Sequence, residues 1–274
     1  MPCSLPIKER GMCPNSAHFL ERPPMTDIID IHTHTIASMH AYSTIREMAA
    51  AAKEKGLALL GISDHAPALP GTFHELYFHN FKVIRPAAYG IDLIMGAELN
   101  VLDHTGTVDL PEKALKKLHY VIASLHDLVI APGSQEENTA ALLGAMENPY
   151  VTIIGHPDNP VYPIDFDALA RAAAAQHVLI EANNSSHNPG GSRPGSDLLA
   201  RDLLAACRRH GAHIIMGSDA HIDIDVGEHG YTHAILAETD FPDELVLNGD
   251  PARLKAWIRE RHALNAVHGL DYFS

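Results

Sequence analysis

Seven short apolar runs recur along this chain, each closed by polar residues and most followed by a stretch whose apolar positions return every three or four residues. The runs are Ile28–His32, Ala58–Ser63, Ile91–Leu99, Tyr120–Leu125, Val151–Gly155, Val178–Ala182 and His213–Gly217. Their length and β-branched content predict buried strands. Helices are predicted over Thr44–Lys55, from Pro111, around 135–146, over Phe166–Gln176 and Leu198–His210, and at 229–238 and 250–262. Thr44 with Glu47 makes a capping box, Gly56 is a stop, and Pro111 suits a helix start. The strand rhythm of about thirty residues is that of a βα unit. Consecutive units of this kind close into a barrel of parallel strands, here as one α/β domain.

Three segments fall outside the rhythm. Residues 64–80 carry Phe73, His74, Tyr77, Phe78 and His79 and read as a lid over the barrel mouth; residues 100–110 suit a short hairpin. Residues 1–24 hold five prolines and no periodicity. They read as a disordered or loosely attached extension, with the barrel domain spanning 25–274 and Met25 a candidate translation start.

The polar residues that end the runs carry the chemistry. Asp30-Ile-His32-Thr-His34 puts two imidazoles on one strand face, and His40 follows in the loop. Ser63-Asp64-His65 ends the second run and Glu98 the third, where a buried carboxylate needs a partner. His126 and His156 follow the fourth and fifth, Asn183 the sixth, and Asp219-Ala-His221 the seventh. Any one of these is as readily structural. Together they give seven imidazoles and two carboxylates at the strand ends where barrel enzymes keep their sites. That donor set, without thiolate, suits zinc, manganese or iron.

Composition narrows the reading. The 274 residues include 20 histidines, and the formal charge is −14, which argues against membranes and long nucleic acid as partners. Bound divalent ions would still allow an anionic substrate. Cys3, Cys13 and Cys207 form no paired motif, and no run of 18 apolar residues exists. Lys8, Glu9 and Arg10 interrupt any leader, so a cytoplasmic location is expected. A homo-oligomer is compatible with this surface.

The strings DIHTHTIASMHAYS, SDHAP, GAELN, ASLH, IGHPDNP, IEANNSS and MGSDAH, in that order over about residues 27–262, resemble the PHP (polymerase and histidinol phosphatase) family, specifically its trinuclear-zinc phosphatases. The resemblance implies a distorted barrel of seven βα units and three zinc ions. It assigns His32, His34, Glu98 and Asp219 to one ion, and His40, His65 and His221 to a second. Glu98, His126 and His156 hold the third, with Glu98 bridging. Glu98, Asp219 and Arg193 are the candidate catalytic residues, Arg193 as a fork for phosphate. Asp30 and Asp64 are candidates to accept a proton from a ligating imidazole, or else are capping residues. The 183–187 loop offers neutral donors and His187, while His74 and His79 reach toward substrate or simply pack.

The expected reaction is hydrolysis of a small phosphate monoester, with hydroxide formed on the ions attacking phosphorus in line. The alternatives are a phosphodiesterase or nuclease for nucleotides or short oligonucleotides, a histidinol-phosphate phosphatase, and a metal-binding scaffold without catalysis.

Overall fold

The computed structural model describes residues 25–267. The expected extension over 1–24 lies outside the described residues, as do Cys3 and Cys13. Seven parallel strands run in chain order: β1 (Ile29–Asp30), β2 (Leu59–Ile62), β3 (Asp92–Asn100), β4 (Tyr120–Ser124), β5 (Ile153–Ile154), β6 (Leu179–Asn183) and β7 (Ile214–Gly217). Between and after them lie α1 (Ile45–Glu54), α2 (Leu76–His79), α3 (Glu112–Leu115), α4 (Gln135–Met146), α5 (Phe166–Gln176), α6 (Asn184–His187), α7 (Ser196–His210), α8 (Gly230–Glu238) and α9 (Pro251–Leu264). The architecture is the expected seven-stranded, TIM-like barrel.

The barrel is nearly closed. At the mouth, Asp219 N donates to His32 O and His34 N to Ala220 O, at 2.8 Å each. At the other end the seam between β7 and β1 is filled by Val246–Asn248. The Asn248 amide donates to Ile29 O and Met216 O, and its oxygen accepts from Met216 N. One side chain thus replaces a missing rung of the ladder.

Two ladders are shorter than their apolar runs. Beside β1 and β5, threonine hydroxyls add to the backbone bonds. Thr33 Oγ1 donates to Gly61 O, and Thr152 Oγ1 both accepts from Val121 N and donates to Val121 O. The runs are buried throughout, and backbone bonds persist beside these hydroxyls, from Ser63 N to Thr33 O and from Thr152 N to Val121 O.

Burial explains the layering. Ile29, Leu59, Ile94, Tyr120, Ile122, Ile153, Leu179 and Ile215 fill the barrel, and Leu254 and Ile258 of α9 plug its base. The Tyr120 hydroxyl spans the interior to Ile31 O at 2.6 Å. That ring requires Gly96: a Cβ there would stand 2.6 Å from Tyr120 Cε1. A second, larger apolar layer joins the outer sheet face to the helices. Both α1 and α4 carry full capping boxes, Thr44 with Glu47 and Ser134 with Glu137. The 100–110 hairpin forms through the antiparallel Val101–Val108 bridge. Helix α6 was not expected from sequence; Asn183 caps it by accepting from Ser186 N. Among the described residues, no helix is long and apolar enough to cross a membrane.

Candidate metal centre and active site

Above the apolar filling, the inward positions turn polar. In β3 the inward series Ile94, Gly96, Glu98, Asn100 follows the two-residue strand period. In β6 the series is Leu179, Glu181, Asn183. These side chains meet the histidines of the strand ends in one buried cluster.

Glu98 is its centre. Its Oε1 lies 2.9 Å from His156 Nε2 and 3.2 Å from His126 Nε2. Its Oε2 faces His65 Nδ1 at 2.8 Å, His32 Nε2 at 3.3 Å and His34 Nε2 at 3.5 Å. Asp219 Oδ1 is 3.2 Å from His34 Nε2 and 3.6 Å from His32 Nε2. His221 Nε2 lies 2.8 Å from His40 Nε2. All nine residues expected from the sequence are brought together.

Three triads hold their donor atoms within 4.8 Å of one another: His34, His65 and His221; His32, His34 and Asp219; His65, Glu98 and His126. Nε2 of His32, His34 and His126, Nδ1 of His65 and Oε2 of Glu98 are buried without a hydrogen-bond partner. Such atoms are costly to bury unless something compensates them. Five of them aimed at a common space fit divalent cations.

The far sides of the rings are held so that the inner nitrogens stay bare. His32 Nδ1 meets Glu181 Oε1 at 2.6 Å, and a carboxylate only accepts. The His126 Nδ1 partner is Asn100 Oδ1 at 2.7 Å. The Asn100 amide nitrogen is committed to Ala66 O and Asp109 Oδ2, so its oxygen faces the ring. His221 Nδ1 meets the Asp219 carbonyl at 2.9 Å. Each ring therefore keeps a proton on Nδ1, which makes Nε2 the nitrogen turned toward the cluster and available to a cation that displaces any proton there.

Electrostatics keep the acids ionised. Burial opposes charge on Glu98, but His32, His65 and His126 hold its carboxyl well below the usual range. Burial likewise opposes charge on Asp219, and His32, His34 and Arg193 overcome it. His32 is raised well above an ordinary histidine, because Glu181, Glu98 and Asp219 outweigh its burial. His34 is lowered well below, by burial and then by His221 and His65. Two ligand positions also hold backbone that non-glycine residues rarely adopt: φ is +28° at His156 and +58° at Asp219. Strain of this kind persists where surrounding structure enforces it, often at functional sites.

Arg193 reaches the cluster. Its Nη1 donates to Asp219 Oδ2 and Ser186 Oγ, both at 3.0 Å. Asn183 also donates to Asp219 Oδ2, at 3.2 Å. Of the two readings open for Asp30, the structure favours the turn residue: it meets no ring of the cluster. It accepts from Ser218 Oγ, Ser218 N and Gly227 N, and so braces the turn after β7. The imidazole-holding carboxylate is Glu181, which the sequence reading missed. Its signal was the two-residue step from Glu181 to Asn183 along an apolar strand.

Asp64 touches His34 only through Ser38. His187 is not available either; its nitrogens are engaged by Thr232 Oγ1 and Asp158 Oδ2 at 2.8 Å each. The 64–80 segment borders the mouth: Phe73 N donates to Ala37 O, and the Tyr77 hydroxyl to Asp64. His74 and His79 stay out of the cluster; His79 Nε2 lies 3.9 Å from Glu75 Oε1.

Fold and site together define a barrel hydrolase scaffold with a histidine and carboxylate cluster at its mouth. The PHP domain family model matches residues 30–187, more than half of the chain. A probable phosphatase of Clostridium novyi is 44% identical over 240 residues, covering 88% of this chain and 98% of its own. Another, of Caldanaerobacter subterraneus, is 46% identical over 235 residues, covering 85% and 92%. The crystal structure of histidinol phosphate phosphatase from Lactococcus lactis, complexed with zinc, L-histidinol and phosphate, superposes with a TM-score of 0.56. Its identity is 18%, covering 79% of this chain and 95% of that one, so it shows the fold. The chain belongs to the PHP family and is a phosphatase within it.

Proposed function

We propose that this phosphatase hydrolyses a small phosphate monoester at a centre of three divalent metal ions, zinc by preference. The observation that carries the reading is the set of five buried, partnerless donor atoms facing one another from different strands. The zinc in the Lactococcus lactis structure is consistent with that choice. Three overlapping triads support three ion positions. His32, His34, Glu98 and Asp219 would hold one, and His40, His65 and His221 another. Glu98, His126 and His156 would hold the third. His34 and His65 each border two triads, so the ions are expected close together.

When bound, the ions supply Lewis acidity, lowering the pKa of water toward about 7 and offsetting charge on phosphoryl oxygens. The chain's residues set up the rest. Glu98 offers one oxygen to each side of the cluster. Glu181, Asn100 and the Asp219 carbonyl fix three rings in ligating tautomers. Asn183 and Arg193 anchor Asp219 Oδ2, keeping Oδ1 turned inward. Both bonds of Arg193 use Nη1, which leaves the other arm of the guanidinium for a phosphoryl oxygen.

The net charge of −14 weighs against a long nucleic acid as substrate. The test compares p-nitrophenyl phosphate with bis-p-nitrophenyl phosphate on metal-analysed protein, with histidinol phosphate as a third arm. Preference for the first is expected. Preference for the diester would turn the reading to phosphodiester hydrolysis, and inactivity on all three with metal fully loaded would leave a binding scaffold.

A further inference from the structure

We infer that Ser38 is a positioning residue that fixes which nitrogen of His34 faces the metal cluster, and that Asp64 fixes Ser38 in turn. The inference rests on the reading of the cluster as a metal centre.

The outer nitrogen of His34 faces a hydroxyl where those of His32, His126 and His221 face a carboxylate, an amide and a carbonyl; its Nδ1 lies 3.1 Å from Ser38 Oγ. A hydroxyl can donate or accept there, so this contact alone does not choose a tautomer. The surroundings of Ser38 choose it. Asp64 Oδ1 accepts from Thr35 N at 2.6 Å and faces Ser38 Oγ at 2.7 Å. Asp64 Oδ2 faces the hydroxyls of Thr35 at 2.8 Å and Tyr77 at 2.7 Å. Four donors converge on Asp64, which suits a carboxylate that accepts from all of them. Ser38 has one proton and gives it to Asp64. Its oxygen also accepts from His65 N at 3.0 Å. The remaining role of Ser38 Oγ is to accept from His34 Nδ1–H. The His34 proton then sits on Nδ1, which leaves the Nε2 lone pair for a cation held between it and the carboxylates of Glu98 and Asp219.

The chain invests in this arrangement. Ser38 ends the 3₁₀ turn Ile36–Ser38, which Thr35 caps from its side chain. Asp64 thus grips both ends of the turn. Ser38 is fully buried, and Met39 beyond it is held at φ +64°. Without a directing partner, a neutral imidazole in water prefers its proton on Nε2, the tautomer that cannot ligate through that atom.

The polarity logic separates two substitutions at Asp64. In Asp64→Asn the amide oxygen must face Thr35 N, a backbone donor that cannot turn. Ser38 therefore keeps its acceptor, while the hydroxyls of Thr35 and Tyr77 rotate to receive the new N–H groups. In Ser38→Ala the acceptor for His34 is gone. The experiment reads the His34 tautomer by long-range ¹H–¹⁵N correlation in metal-free, ¹⁵N-histidine-labelled protein, and zinc affinity by competition with a chromophoric chelator.

Wild type and Asp64→Asn are expected to show the Nδ1–H form. Ser38→Ala is expected to shift to Nε2–H and to lose about 10–100-fold in zinc affinity. Ser38→Cys, which keeps the volume but accepts weakly, is expected to move the same way by less, and serves if the alanine variant does not fold. An Nδ1–H tautomer retained in both Ser38 variants would overturn the inference, even if their melting temperatures fell. So would a tautomer switch in Asp64→Asn. Failure of wild type to bind zinc would overturn the metal reading instead, and the metal-free spectra would still decide the role of Ser38.

Discussion

Replacing Glu181 by glutamine exchanges one oxygen for an NH₂ group and should cost the centre much of its metal. Glu181 accepts at both oxygens: Oε1 from His32 Nδ1–H at 2.6 Å, Oε2 from the backbone N–H of His156 at 2.8 Å. Glutamine has one acceptor for these two donors. The backbone N–H cannot reverse, so the amide oxygen is expected to face His156 and the NH₂ group to face His32. His32 must then accept at Nδ1 and carry its proton on Nε2, masking the lone pair aimed at Glu98 and Asp219. No hydroxyl rotor stands between Glu181 and His32 to absorb the reversal, unlike the case of Asp64 and Ser38.

Loss of an orienting partner of this kind weakens metal binding about 10–100-fold, or about 1.4–2.7 kcal/mol. If the amide settles the other way, His156 N–H is left buried and unpaired, and stability falls by about 1–3 kcal/mol instead. Zinc competition titration and urea denaturation of the metal-free protein together cover both cases. A Glu181→Gln protein with zinc affinity within about twofold of wild type and unchanged stability would refute the reasoning.

Four further outcomes are expected. Arg193→Ala should raise KM for a monoester substrate more than it lowers metal content; unaltered kinetics would remove Arg193 from the site. His229 lies 2.8 Å from Asp27 and 3.7 Å from Asp30, and despite its burial these acids raise it to about 10. His229→Ala leaves Asp27 with His233 and Asp30 with Ser218 and Gly227, so it removes one charged partner from each acid and should cost about 1.5–3 kcal/mol in urea denaturation near neutral pH. Because the folded value of His229 exceeds its unfolded one, its contribution is complete below pH 6.5 and fades as pH rises toward about 10. Asp27 and Asp30 are lowered despite burial, so their contribution is lost instead as pH falls below about 4. A wild-type-to-variant stability gap that widened from pH 7 to 10 would contradict this sign. Gly96→Ala should destabilise by at least about 1–3 kcal/mol, because the new methyl meets both the Tyr120 ring and, at 2.8 Å, its backbone oxygen. A neutral result by denaturant titration would show that Tyr120 can withdraw.

The barrel and the residues of its polar cluster were legible in the sequence for different reasons. Strand order followed from the βα rhythm, because parallel neighbours need a crossover of roughly that length. The metal-ligating candidates showed because all but His40, which follows in a loop, stand at or just beyond the end of an apolar run. What stayed hidden depended on partners distant in sequence. Glu181 sits inside a strand rather than at its end, and its meaning comes from His32, on the far side of the chain. Ser38 is an ordinary loop serine until Asp64 assigns its proton. Asp30 was open to two readings, an imidazole's partner or a turn residue, and only the fold decides between them: it faces Ser218 and Gly227 across the β7–β1 seam. Helix α6 escaped notice because its four residues, Asn-Ser-Ser-His, have no apolar period.

The measurement that tests the central claim most directly is metal content of the purified protein by inductively coupled plasma mass spectrometry, after zinc loading and removal of excess. Close to three ions per chain are expected, falling in Glu98→Ala, whose carboxylate faces five imidazoles. Protein that retains no ion, or a Glu98→Ala variant that retains the full complement, would contradict the account.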